Sequence, residues 1–535
     1  MREAADLRQR ARAVRQAGVV AEVDEVLVGE RDEALVEDGE PADSGVEHAD
    51  GTGVHDGDSS SAGDWARLAL VVGCRIAVLA VVGVLAGAGS ALAATPQELT
   101  ITAADGTPLA CALVEPDGTP PATGWPGVLL FHGLGGKHED MEPIATGFLA
   151  PAGYASLMCD ARGHGASGGL FGLDGPADVA DTQMLFTWFT ARPEISDTQI
   201  GALGISLGGG AVWNAAAAGV PFKAIVPIIT WTNLTTSLAP QGLSKSGLVE
   251  LLASLVPQSR WDPDLLAATP GLVTSSSLAQ VSALATPRSV LTHLPSISTP
   301  TLLIQGRHDF LFDIDQAEAA YKALTGPKHL YLGDIGHSPA ANPVAEQPTI
   351  YGLAVQWFDR FLAGTGGPIE KTPVQLAHDP WDGKTTTFTG LPPTKTTSVE
   401  LPGTTTIAAT GKVVRGARLT GGPHETFGDS TVTVRYSGAK GWDRLVAVLT
   451  IAGQSTPISA GGIKLTQASG VVTIRLMNES VLVPAGAKLV VYVGATSTVQ
   501  SSADALYLDG VQPGSSITIG RETLDLSVLT KAVSR

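Results

Sequence analysis

A chain of 535 residues with 44% apolar and only 16% charged side chains has ample material for large cores, and its length predicts about two to four domains. The net charge of −18 argues against a nucleic-acid partner, because contact with phosphates needs a basic face. Residues 1–64 hold 17 acidic residues against 6 arginines, a net −11, so the remaining −7 leaves the rest of the chain only mildly acidic.

Residues 1–64 are expected to be a disordered acidic extension, since a Gly- and Ser-containing stretch without aromatics buries too little apolar area to offset its ordering entropy. Residues 65–94 form an apolar segment, uncharged from Ile76 to Ala94. Two readings compete. One is a secretory signal peptide, with Arg67 and Arg75 as its basic flank and Ala91, Leu92 and Ala93 as an A-x-A cleavage site. The other is an uncleaved membrane anchor through residues 76–94, nearly long enough to span. Either reading exports the rest of the chain.

From Thr95 the chain predicts a catalytic domain over 95–363. A hairpin turns at Asp105-Gly106, and GVLLFHG, YASLMCD and QIGALGIS read as buried strands, each followed by a helical pattern. KAIVPII, TPTLLIQG and HLYLGDIG continue the series. Strand and helix alternating at this spacing imply an α/β fold with a mostly parallel sheet covered on both faces. Between about 232 and 295 the strand rhythm stops and helical segments replace it, an insertion in the position of a lid.

Within this frame Gly204-Ile205-Ser206-Leu207-Gly208 follows a strand and leads into the helical run AVWNAAAA. That is the setting of a G-x-S-x-G turn that exposes a nucleophilic hydroxyl. A base and an orienting acid should follow in the order Ser, Asp, His. Asp309 and His337 each lie just past a strand end, so Ser206, Asp309 and His337 are the predicted triad. Stabilising the oxyanion needs two backbone N–H groups, predicted at Leu207 and at Leu134 in the glycine-rich loop after GVLLFHG. Trp231, past a strand end below the lid, is the candidate for lining the substrate, with core packing equally open. The sequence carries no metal-ligand cluster and no dinucleotide loop, so neither metal nor cofactor is expected.

FHGLGGKHEDM, DARGHGASGG, GISLGGG, GRHD and GDIGH together resemble the α/β-hydrolase superfamily over residues 97–363. The resemblance implies that Arg162 ties down the Asp160 carboxylate in a structural loop. WFDRFLAG, from Trp357 to Gly364, is similar to the junction before the β-sandwich in Xaa-Pro dipeptidyl-peptidases and cocaine esterase-like hydrolases. Accordingly 364–373 reads as a linker and 374–535 as a jelly-roll-like β-sandwich, with period-two runs such as STVTVRYS and KLVVYVG.

Those relatives often carry Tyr after the nucleophile. Here it is Leu207, so the hole rests on backbone. In the superfamily's strand order Cys111 and Cys159 would lie on antiparallel neighbours. A disulfide between them and two free buried thiols both remain open. Glu139, Asp140 and Glu142 could hold a substrate ammonium or cap a helix start. The sequence therefore implies an exported serine hydrolase acting on a small ester, amide or peptide. The alternative is an inert surface protein whose β-sandwich holds a glycan or envelope polymer.

Overall fold

The computed structural model describes residues 94–498 and 506–534, all within one compact unit. The acidic extension and the signal-or-anchor segment up to residue 93 lie outside the described residues. The expectation of a transmembrane segment is corrected for the described residues, among which no helix is long and apolar enough to cross a membrane. The 15-residue helix Pro176–Thr190 would extend only about 22 Å at 1.5 Å per residue, against a hydrocarbon thickness of about 30 Å.

Ten strands form the main sheet: β1 (Gln97–Thr102), β2 (Pro108–Val114), β3 (Trp125–Phe131), β4 (Ala155–Cys159), β5 (Ile195–Ile205), β6 (Ala224–Ile228), β7 (Thr301–Gly306), β8 (Lys328–Gly333), β9 (Val374–Ala377) and β10 (Thr385–Phe388). Their spatial order is β1-β2-β4-β3-β5-β6-β7-β8-β9-β10, parallel from β4 to β9 and antiparallel at both edges. Strands covered on both faces must be apolar throughout, and every residue of β4, β6 and β7 is buried. Alternate side chains feed two separate cores, as Leu330 and Leu332 enter one and Tyr331 the other.

Helices of eight residues or more, among those described, are α1 (Pro176–Thr190), α2 (Leu207–Ala217), α3 (Ser246–Ser254), α4 (Pro263–Val273), α5 (Leu278–Ala285), α6 (Ile314–Ala323) and α7 (Gln347–Phe358). α1, α2 and α6 cover one face through Phe189, Trp213 and Ala320, and α7 covers the other through Trp357 and Phe358. α3, α4 and α5 stand between β6 and β7 as the lid insertion, with a core of their own that includes Val249, Trp261 and Leu272.

Cys111 and Cys159 are register partners on antiparallel β2 and β4, and their sulfurs are bonded at 2.06 Å. With a sequence separation of 48, the closed loop restricts the unfolded chain and contributes about 2–4 kcal/mol. Both cysteines are expected to resist alkylation in denaturant until reductant is added. Mass spectrometry showing both alkylated without reductant would refute the bond.

Val374–Ala377 and Thr385–Phe388 were expected in the β-sandwich but pair with β8 and with each other, extending the hydrolase sheet. The sandwich proper therefore begins at β11. One of its sheets contains β11 (Thr394–Leu401), β12 (Thr405–Ala408), β15 (Thr431–Lys440), β18 (Gly470–Arg475) and β21 (Ser516–Leu529). The other runs β13 (Lys412–Arg418), β20 (Lys488–Gly494), β16 (Arg444–Ile451), β17 (Ser459–Lys464), and β14 (His424–Glu425) pairs with β19 (Leu482–Val483).

β15 alternates as a strand with one solvated face should, burying Val432, Val434 and Tyr436. β16 is buried at every position, for a different reason. Leu445, Ala447 and Leu449 point into the sandwich core, while Val446 and Val448 join Leu243 of the lid and Phe310 of the hydrolase in a shared cluster. The sandwich is thereby docked on the hydrolase by a continuous apolar contact.

Candidate active site

Ser206 joins β5 to α2 at φ 56°, ψ −113°, a backbone conformation that non-glycine residues rarely adopt. The glycines around it make room. A Cβ on Gly204 would stand 2.0 Å from the Gly208 carbonyl oxygen, and one on Gly208 would stand 2.1 Å from the Phe131 oxygen. The strand, the turn and the loop after β3 can close on one another only without those side chains. Leu207 is the first residue of α2, so its N–H has no intrahelical acceptor and is available to an oxyanion.

The structure brings the three predicted triad residues together across 131 and 28 residues of sequence. Ser206 Oγ lies 2.9 Å from His337 Nε2, and His337 Nδ1 lies 2.9 Å from Asp309 Oδ2. Asp309 is fully buried, and its oxygens are occupied by donors. The His337 N–H donates to Oδ2 at 3.0 Å, and the N–H groups of Leu311 and Phe312 donate to Oδ1 at 2.9 and 3.1 Å. Burial pushes this carboxyl up, but the His337 imidazole and the N–H donors outweigh it and hold Asp309 below the usual carboxylate range. The His337 loop is braced in turn: Glu346 accepts from the Asp334 N–H and from Tyr331 Oη, and Asn342 Oδ1 accepts from the Gly336 N–H. The Phe312 ring meets the His337 imidazole edge-on, 5.2 Å between centroids.

Leu134 sits half-buried in the loop after β3, against the lid core that also contains Leu207. Its loop is supported by His132, whose Nδ1 bonds the Gly133 carbonyl at 2.7 Å and whose Nε2 accepts from the Ala161 N–H at 2.9 Å. Desolvation lowers the His132 pKa, which suits a neutral support.

The Asp160–Arg162 tie is corrected. Asp160 is filled by the His138 N–H, His138 Nδ1 and the Ala166 N–H, each at 2.7 Å. Arg162 turns instead to Asp181 on α1 and to Asp105 in the first hairpin, at 2.5 and 2.6 Å. A planar guanidinium can serve two carboxylates at once, and here it links hairpin to helix.

Trp231 is buried within the lid core. Its indole N–H donates to the Arg288 carbonyl at 2.7 Å and its ring lies 5.3 Å from that of Phe312, which stands between it and His337. The acids after the oxyanion loop serve their own turn: Glu139 pairs with Lys137 at 2.9 Å and Asp140 Oδ2 accepts the Lys137 N–H at 2.9 Å. His138 lies near Glu98, Glu142, Glu139 and Asp160 at metal-ligand spacing, but Glu98 and Asp160 already occupy its two ring nitrogens.

Two residues at the site escaped sequence reasoning, and both come from the sandwich. The Asp309 N–H donates to Glu479 Oε2 at 2.9 Å, and Arg307 forms a buried ion pair with Glu425. The available signal was a charge interrupting an apolar run, as in LMNESVLV from Leu476.

Residues 105–339 match the family of the X-Pro dipeptidyl-peptidase (S15 family). An uncharacterized 31.7 kDa protein from the traX-finO intergenic region of Escherichia coli is 35% identical over 109 residues, covering 20% of this chain and 38% of that protein. The match thus spans little more than a third of that relative. In fold the chain is similar to a CocE/NonD family hydrolase from Staphylococcus aureus, with a TM-score of 0.61 at 15% identity over 80% of this chain and 93% of that one. It is also similar to an aminopeptidase from the marine sediment archaeon Thaumarchaeota archaeon, with a TM-score of 0.56 at 14% identity over 82% and 97%. Coverage of this extent reaches past the hydrolase sheet into the β-sandwich. With a serine, a histidine and an aspartate joined in one hydrogen-bonded line on this sheet, residues 105–339 match the X-Pro dipeptidyl-peptidase (S15) family and carry the triad arrangement of a serine hydrolase of the α/β-hydrolase superfamily.

Proposed function

We propose that the protein is an exported hydrolase that cleaves carboxylic esters in preference to peptides, through an acyl-enzyme on Ser206. The observation that carries this reading is the unbroken line from Ser206 Oγ through His337 to Asp309. His337 Nε2 takes the hydroxyl proton as Oγ attacks the carbonyl, and the same nitrogen returns it to the leaving group. Water then repeats the sequence on the acyl-enzyme. Asp309 holds the imidazole with Nδ1 protonated, so that Nε2 faces the serine. The N–H groups of Leu207 and Leu134 receive the charge on the carbonyl oxygen. An intact line of this kind argues against an inert binding protein.

Preference for esters rests on the surroundings. An aminopeptidase must hold a substrate ammonium against a carboxylate, because burying that charge unpaired is costly. Glu139 and Asp140 are engaged by Lys137, and the lid core beside the nucleophile is apolar, with Phe171, Leu207, Leu311 and Phe312. Export is supported by the Cys111–Cys159 bond, which persists in oxidising compartments.

Short acyl p-nitrophenyl esters are therefore expected to show kcat/KM at least about 10-fold above Xaa-Pro anilides, a discrimination worth about 1.4 kcal/mol. Glu139→Gln is expected to leave ester turnover within about 2-fold, as surface substitutions do. A better rate on the anilide, with KM raised selectively by Glu139→Gln or Asp140→Asn, would give the site to a peptidase.

A further inference from the structure

The turn that carries Asp309 is held from outside the hydrolase sheet. From the lid, buried Lys245 donates Nζ to the Phe310 and Leu311 carbonyls at 2.8 and 3.1 Å. From the sandwich, residues 478–480 run alongside 307–315. The Ser480 N–H donates to the Arg307 carbonyl at 2.7 Å, the Ile314 N–H donates to the Asn478 carbonyl at 3.1 Å, and Asn478 Nδ2 donates to Asp315 Oδ1 at 2.9 Å. Between these clamps Glu479 Oε2 accepts the N–H of Asp309 itself at 2.9 Å.

We propose that Glu479 is a positioning residue for the proton relay: it is delivered by the β-sandwich and fixes the backbone of Asp309 so that the Asp309 carboxylate meets His337. The proposal rests on the hydrolase reading above and adds the sandwich to the machinery of that site. Both Asp309 carboxylate oxygens are committed to donors of its own turn or of His337, and its N–H is committed to Glu479. Left without an acceptor at a fully buried position, that N–H would carry the full desolvation penalty of an unsatisfied donor. The turn would relieve that cost by rotating, and rotation moves Oδ2 away from Nδ1. A displacement of about 1 Å at such a contact is worth up to about 100-fold in rate.

Glu479 is faced by Asp309 and Asp313 on the acid turn and by Lys245 from the lid. Burial, with the two carboxylates adding to it, raises the Glu479 carboxyl well above its ordinary range. Its other oxygen, Oε1, is buried and makes no hydrogen bond among the described residues.

The test uses the full chain and p-nitrophenyl butyrate. Glu479→Ala is expected to lower kcat at least about 10-fold with KM within about 2-fold, and to slow fluorophosphonate labelling by the same factor. Glu479→Gln keeps an acceptor at the same place and is expected to restore kcat to within about 3-fold of the parent. If the alanine variant fails to fold, Glu479→Leu fills the space without an acceptor and takes its place. An alanine or leucine variant with more than half the parental kcat overturns the proposal, as does a glutamine variant no better than alanine. A parent protein that neither labels nor turns over ester instead overturns the hydrolase reading, so the two failures are distinct.

Discussion

Ser206→Ala is expected to abolish fluorophosphonate labelling and to lower kcat on p-nitrophenyl esters by about 10⁴- to 10⁶-fold, with no loss of folded protein. The removed Oγ is the atom 2.9 Å from His337 Nε2, and among the described residues no other hydroxyl is bonded to that nitrogen. Residual rate over water would come from Leu207, Leu134 and substrate binding alone. Folding should be spared because alanine occupies the same backbone conformation at no greater strain, and the glycine contacts that shape the turn belong to Gly204 and Gly208. Equal ester turnover by Ser206→Ala, measured on protein with an unchanged melting transition, would remove Ser206 from the mechanism.

Glu425→Ala is expected to destabilise the protein by about 3–5 kcal/mol, read as a lower urea midpoint. Arg307 and Glu425 are almost wholly buried, at 1% and 0% side-chain exposure, so truncating the acid strands a guanidinium with no water to take its charge. Glu425 also accepts the N–H groups of Val533 and Ser534 at 2.6 and 3.0 Å, and Arg307 donates Nε to the Ser480 carbonyl at 2.9 Å. Burial raises the Glu425 carboxyl, but Arg307 and those N–H donors outweigh it and hold it below its ordinary value. A depressed carboxyl contributes its full stability above the unfolded-state value and loses it as pH falls through the folded one. The gap between parent and variant should therefore be complete at neutral pH and shrink in acid. A variant matching the parent's urea midpoint at pH 7 would show that the pair contributes nothing net.

The hydrolase half was legible because its signals are local. Each parallel strand reads as a short apolar run, the serine turn needs glycines at fixed spacing, and Asp309 and His337 are marked by standing just past strand ends. What escaped depends on contacts distant in sequence. VQLA and TTTF, each four residues long, carry no mark of which sheet they join, and the pairing of Val374–Ala377 with β8 is settled by packing. Arg162 sits two residues from Asp160 yet bonds Asp105 and Asp181, because a long side chain answers to whatever carboxylates surround its tip. Glu479 looks like an ordinary acid near a strand end until the sandwich is docked.

That docking has a consequence for the order in which the protein matures. Ser206, Asp309 and His337 are synthesised, and on the proposed route exported, before Glu425, Glu479 and the N–H groups of Val533 and Ser534 that complete their surroundings. A nascent chain that has delivered its nucleophile, acid and base still holds Arg307 without its counter-charge and Asp309 without its brace. On that reading the reactive groups are made early and reach their final geometry only when the last strands of the sandwich have docked.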